Sequence, residues 1–126
     1  GDIRVNELIE LGFASRFEQR EAEAALYFTE ACGLTADAEL KYMLTMEVVS
    51  IYKEQGMYSE AKQVLQLCVG NTGLQTAIIN EINYQLAYLT LLESELSRLG
   101  MPDMPFAKVP RWVRINVEDR LKERVS

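Results

Sequence analysis

Residues 8–17 read LIELGFASRF and residues 21–33 read EAEAALYFTEACG, and these two stretches decide the fold. In each, apolar residues recur at spacings of three and four, the period of a helix with one buried face. Between them stands Glu18-Gln19-Arg20, a polar break so short that the second helix must fold back along the first. Such a pair nests closely only where small residues sit at the crossing. Gly12 and Ala24 meet that need, and Phe28 and Ala31 follow on the same face.

The arrangement recurs. Tyr52, Gly56, Tyr58, Ala61, Leu65 and Cys68 repeat it through other residues, and a shift of 37 lays Ala24 on Ala61, Phe28 on Leu65 and Ala31 on Cys68. A further shift of 34 aligns Leu11, Val48 and Ile82, and likewise Ser15, Tyr52 and Leu86. Self-similarity at this period marks stacked helix pairs that share a core, because one pair cannot bury both of its apolar faces. The run Leu8-x-x-Leu11-Gly12, then Ala24-x-x-x-Phe28 and Ala31, resembles the tetratricopeptide repeat (TPR) pattern. The resemblance covers Val5 to about Cys68 and, more weakly, the first half of a fifth helix. Val49 and Asn83 stand where the family has glycine or alanine. Gln19 replaces the first turn glycine, the closing proline is absent, and three extra residues separate the first two repeats.

The resemblance implies an all-α, right-handed α-α superhelix of about two TPR-like pairs, followed by a long capping helix and an extended C-terminal tail with a short helix. One domain is expected: repeats at 5–38 and 39–73, the capping helix at 74–99, and a tail at 100–126 packed back on the body. The helices are expected from Asp2, as N-cap, to Phe17; from Glu21 to Cys32, ended by Gly33; from a Thr35 cap through Gln55; from Ser59 to Val69; and from Leu74 to Leu99. On the third, Leu40, Leu44, Val48, Ile51 and Tyr52 form one stripe. Gly56 ends that helix, and Gly70-Asn71-Thr72-Gly73 breaks the chain again. Leu89, Leu92, Leu96 and Leu99 form a packing seam, which either caps the stack or joins a second copy as a homodimer. Met101-Pro102-Asp103-Met104-Pro105 is expected extended, with Phe106, Val109, Trp112 and Val113 packing it back. A short last helix is expected from Asn116, with Glu118 and Asp119 in its first turn, Lys122 and Arg124 in its last, and Val117, Leu121 and Val125 on one sticky face.

Charge and chemistry narrow the function. The net charge of −6 divides into 7 Lys/Arg against 15 Asp/Glu over residues 1–99 and 6 against 4 over residues 100–126. An acidic body argues against nucleic-acid and anionic-membrane partners, which require clustered Lys and Arg, and it suits docking of the basic tail on the body. The most apolar stretch, Leu86–Leu92, is too short to span a bilayer and is bracketed by Asn83, Gln85, Glu93 and Glu95. No secretory leader pattern is present, so a cytoplasmic protein is expected. The chain opens Gly-Asp without Met, so Gly1 reads as a cloning remnant and the chain as a piece of a longer protein. Cys32 and Cys68, in no CxxC pair, read as reduced, buried small residues, with a redox pair as the alternative.

With no histidine, the commonest acid–base group and metal ligand is missing. The Gly70–Gly73 cluster is followed by Leu74-Gln75-Thr76 and lacks the lysine of a phosphate loop. The pairs Glu7/Glu10, Glu21/Glu23 and Glu93/Glu95 are expected on exposed faces without metal spacing. No catalytic residue, metal or cofactor is expected, and the chain reads as a binding module.

In the TPR family the first helix of each pair lines a peptide-binding groove. The resemblance places Asn6, Ile9, Phe13, Arg16 and Phe17 there from the first helix, Met43, Met46, Ser50 and Lys53 from the third, and Asn80, Tyr84 and Tyr88 from the fifth. Such an apolar, aromatic stripe suits a protein or peptide partner. The lysine, asparagine and arginine that grip a terminal carboxylate in some members are replaced by Ile9, Phe13, Met46 and Ser50. Glu10, Glu47 and Glu81 fall in register near the groove edge, where they favour a cationic partner or are held in salt bridges. Alternatives to a peptide-binding module are a self-associating structural domain joined through the fifth helix, a sensor for a small apolar ligand, and a groove filled by the tail or simply part of the core.

Overall fold

Helix α1 (Asp2–Phe17) turns into α2 (Glu21–Leu34) through Gln19, whose φ of 65° is the left-handed conformation that glycine usually supplies. Arg20 N–H then bonds back to Ser15 O at 2.8 Å, satisfying a carbonyl at the helix end. The same device recurs twice. At Gly56 (φ 73°) the Met57 amide reaches Tyr52 O at 2.8 Å, and at Gly100 (φ 77°) the Met101 amide reaches Leu96 O at 2.8 Å.

The computed structural model describes residues 2–70 and 73–125. Asn71 and Thr72 of the expected breaker, and the side chains of Asp2, Arg124 and Val125, lie outside the described residues. The remaining elements are α3 (Ala38–Glu54), α4 (Tyr58–Val69), α5 (Thr76–Arg98), a single 3-10 turn (Phe106–Lys108) and α6 (Arg111–Val125). The six helices pack antiparallel in chain order: α1 on α2, α2 on α3, and so on to α6, with the 3-10 turn against α3. No contact joins α1 to α4 among the described residues, so the first four helices are not a closed cluster.

Several expected boundaries move, each for a local reason. Helix α2 continues through Gly33 to Leu34, because a lone glycine weakens a helix without ending it. The cap of α3 is Asp37 rather than Thr35: its carboxylate accepts from Glu39 N–H at 3.0 Å and Leu40 N–H at 3.2 Å. Thr35 instead accepts from Asp37 N–H at 3.2 Å. Helix α3 ends at Glu54 rather than Gln55, α4 starts at Tyr58 rather than Ser59, and α5 spans Thr76–Arg98 rather than Leu74–Leu99.

The largest correction is α6. It begins at Arg111 and is 15 residues long, so Asn116 is interior and caps nothing. Pro110 explains the early start. Proline fixes a helix-compatible φ at an entry, and the Pro110 carbonyl accepts from Val113 N–H at 3.0 Å. Val109, Val113, Val117 and Leu121 are buried, while Trp112, expected to pack inward, is 56% exposed.

Tight nesting of α1 on α2 rests on Gly12. A Cβ there would stand 2.5 Å from Phe28 Cε1, and Phe28, Ala24 and Leu8 are fully buried. Leu11, the other residue of that motif, is 42% exposed. The core falls into two regions, one around Phe28 and Val48 and one around Leu65, Ile82 and Leu92, bridged by Tyr52 and Val64. The leucine seam of α5 points into the second region. Leu89, Leu92 and Leu96 are completely buried and share it with Val109, Val113 and Val117.

Docking of the tail also buries Glu95, which was expected on an exposed face. Arg98 and Arg120 pair with its carboxylate, and Arg98's hydrogen bond holds it below the ordinary glutamate range. Burial acts to raise Glu93, but Lys62, at 2.5 Å, and Ser59 outweigh it and leave its pKa lowered too. A carboxyl with a lowered folded pKa stabilises the fold above its unfolded value, near 4.5, and that contribution fades as pH falls through the folded value. The melting temperature should therefore drop as pH is taken from 6 to 3, and thermal melts of Glu95→Gln should show a lower starting value and a shallower acid slope. An unchanged slope would mean that Glu95 does not titrate with unfolding.

Candidate interaction groove

The odd-numbered helices bring the expected groove residues to the surface unequally. On α1, Asn6 is exposed, Ile9 half-buried, Phe13 49% exposed and Phe17 91% exposed. On α3, Met43 is 61% exposed, whereas Met46, Ser50 and Lys53 are half-buried. On α5, Asn80 is exposed, Tyr84 is 44% exposed and Tyr88 is buried.

Two features join these pieces. The first is Arg16, whose guanidinium lies 2.8 Å from Glu47, 2.8 Å from Glu54 and 3.6 Å from Glu21, tying α1 to α3 and α2. Burial acts against its charge, but Glu54, Glu47 and Glu21 together raise its pKa. Ser50 donates to Glu54 at 3.3 Å, extending the network along α3. Arg16 is thus engaged inside the chain, and Glu47 is its partner rather than a free rung of an acidic ladder. Glu10 and Glu81 are exposed, and Gln85 donates to Glu81 at 3.2 Å.

The second feature is Phe106, carried in by the 3-10 turn. Its ring meets Tyr88 edge-on at 6.3 Å, and Lys53 Nζ lies 4.2 Å above its centre. Burial lowers the Lys53 pKa, and the ring face offers its ammonium a partner other than water. Met46, Val49, Ser50, Lys53, Glu54, Phe106 and Ala107 surround a cavity of about 360 Å³ beside this contact. Tyr84 lines a separate recess with Glu118, Leu121 and Lys122. The Phe13 ring packs edge-on against Phe28 at 5.0 Å and leaves its other side to solvent.

Phe106, Glu54 and Ala107 join this surface although none is among the residues expected there. A signal was present: Phe106 and Val109 lie between Pro105 and Pro110, the form of a short rigid anchor. What the sequence does not show is which helices that anchor reaches.

A second recess, of about 340 Å³, lies among α2, α3 and α4 and is lined by Cys32, Lys41, Thr45, Val48, Val64, Leu67 and Cys68. Both thiols are free, and Cys32 Sγ lies 3.9 Å from Thr45 Oγ1. Burial pushes the Cys68 thiol up, away from the reactive thiolate. No Cα of α2 comes within 8 Å of one in α4, so a Cys32–Cys68 disulfide would need the backbone to move. Among the described residues no group of three or more His, Cys, Asp or Glu is placed to hold a metal ion, and no helix is long and apolar enough to cross a membrane. No known protein family matches the sequence, and neither does any curated protein or solved structure.

Proposed function

We propose that this chain is a TPR-like helical repeat, wound as a right-handed superhelix, that acts by binding a protein segment along the stripe of α1, α3 and α5 rather than by catalysis. Phe106 carries the reading. A proline-framed aromatic residue from an irregular segment already sits on α3 and α5, against Tyr88 and beneath Lys53. The stripe therefore has the shape and chemistry to hold such a segment. On the same helices Phe13, Phe17, Met43 and Tyr84 are exposed, so a partner finds apolar side chains open to it besides the tail's own anchor. Adaptable methionine and aromatic side chains suit that role.

The test is selection from a displayed peptide library on the immobilised full chain. Peptides with an aromatic anchor should be enriched, and Phe13→Ala or Tyr84→Ala should weaken their binding by about tenfold, the loss of one anchoring side chain. Circular dichroism should be unchanged in Tyr84→Ala. Equal binding by both variants would place recognition elsewhere on the molecule.

A further inference from the structure

Helices α2 and α4 do not meet among the described residues; both pack on α3, and the gap between them is the recess of about 340 Å³. Each of the three helices turns one stripe toward it, at the three- and four-residue spacing of a single face. Thr45 and Val48 of α3 are buried and form the floor. Cys32 and Gly33 of α2 stand on one side, and Val64, Leu67 and Cys68 of α4 on the other. The lining is mostly apolar, with a few polar groups converging on one spot. That is the make-up of small-molecule sites, whose volumes run from about 300 to 1,000 Å³.

The polar spot is centred on Thr45. Its hydroxyl donates to Lys41 O at 2.7 Å and lies 3.9 Å from Cys32 Sγ. Lys41 Nζ stands beside them and donates to Cys32 O at 2.8 Å. That carbonyl occupies one of the ammonium's three protons and supplies no countercharge. Arg4, Arg16, Arg20 and Lys62 each pair with glutamates, and Lys53 has the Phe106 ring. Half-buried Lys41 forms no ion pair among the described residues. No carboxylate lines the recess. Of the two acids just before Lys41, Asp37 accepts from the Glu39 and Leu40 amides, and Glu39 is exposed. Gly33 adds room at the rim. A Cβ there would meet no atom within 4 Å and its φ is not left-handed, so neither packing nor backbone requires a glycine.

We propose that this recess binds a small amphipathic carboxylate, its head on the Lys41 ammonium and its apolar chain along Val48, Val64 and Leu67. The head gives a half-buried charge the counterion that the protein itself does not provide, in surroundings where an ion pair is stronger than on open surface. The chain covers Leu67, which is 78% exposed. Cys32 and Cys68 serve as small polarisable walls rather than nucleophiles, since burial holds the Cys68 thiol away from the thiolate. One ion pair and a few apolar contacts set the dissociation constant on the order of 0.1 mM for a ligand of about ten heavy atoms.

Cys32 and Cys68 are the only cysteines and both line the recess, so their alkylation by iodoacetamide, resolved by mass spectrometry, reports its occupancy. Octanoate, octanol and octylammonium share one chain and differ in the head. At about 1 mM, octanoate should slow Cys32 alkylation of the full chain by roughly tenfold, octanol by less and octylammonium hardly at all. Lys41→Met keeps an unbranched stem and removes the charge, so octanoate should then protect no better than octanol. Gly33→Leu should fill the rim and abolish protection by either. Circular dichroism should match the wild type in both variants. Equal protection by all three heads would overturn the proposal, as would octanoate protection that survives Lys41→Met or Gly33→Leu. Protection by none of them would overturn it too, and leave an apolar side chain of another protein as the occupant. None of the lining residues belongs to the groove along α1, α3 and α5, so the two proposals stand or fall separately.

Discussion

Gly56→Ala is expected to destabilise the fold by about 3 kcal/mol, lowering the melting temperature by on the order of 10 °C. Two independent costs combine. At φ 73° any residue with a Cβ is strained, by about 1–2 kcal/mol. The new methyl would also stand 2.1 Å from Asp103 O and 2.7 Å from Asp103 C, which are backbone atoms that cannot rotate aside. Gly100→Ala separates the two. Gly100 has nearly the same φ, 77°, but nothing within 4 Å of its would-be Cβ, so only the strain applies. Thermal melts should rank the variants wild type, Gly100→Ala, Gly56→Ala. Equal losses would mean that the tail does not approach this turn.

Gly56 matters beyond stability because the contact it permits positions the tail. Next to it, buried Tyr58 donates its hydroxyl to Met104 O at 2.5 Å, and burial pushes that phenol up to about 12. Together they hold the 101–104 turn in place, and the chain leaving that turn carries Phe106 to Tyr88 and Lys53. Displacing the turn should release Phe106 and open the groove.

Phe28→Ala should cost about 3–5 kcal/mol, because it empties the space of a ring with no exposed surface. The more telling result concerns Gly12. In the wild-type chain Gly12→Ala gains roughly 1 kcal/mol of helix propensity but drives a methyl to within 2.5–2.8 Å of three Phe28 ring atoms. Overpacking at about 1–3 kcal/mol outweighs that gain, so the net effect is destabilising. In the Phe28→Ala background the obstacle is gone and the same substitution should become stabilising. Four denaturation curves complete this double-mutant cycle. A Gly12→Ala effect of the same sign in both backgrounds would show that α1 and α2 do not nest through this pair.

Much of this was written in the sequence because it is local. Helical period, breakers and small residues at the crossings are encoded within a few positions of where they act. Five helices therefore lie close to where expected, and Gly12, Ala24, Phe28, Ala61 and Leu65 are all buried. Even Gln19, which departs from the usual turn glycine, takes up the left-handed angle that position demands. The positions whose surroundings depart from expectation are those that distant chain contacts. Glu95 looks like a surface residue until α6 covers it with Arg120, and Tyr88 looks open until Phe106 arrives. Arg16 looks available to a partner until Glu47 and Glu54 of α3 close on it. Leu11 is apolar like its buried counterparts, and only the packing leaves it uncovered. Sequence fixes which face of each helix is apolar, since that follows from spacing alone. Which apolar faces are covered depends on which segments meet, and that was decided by the tail crossing back to α3 and α5.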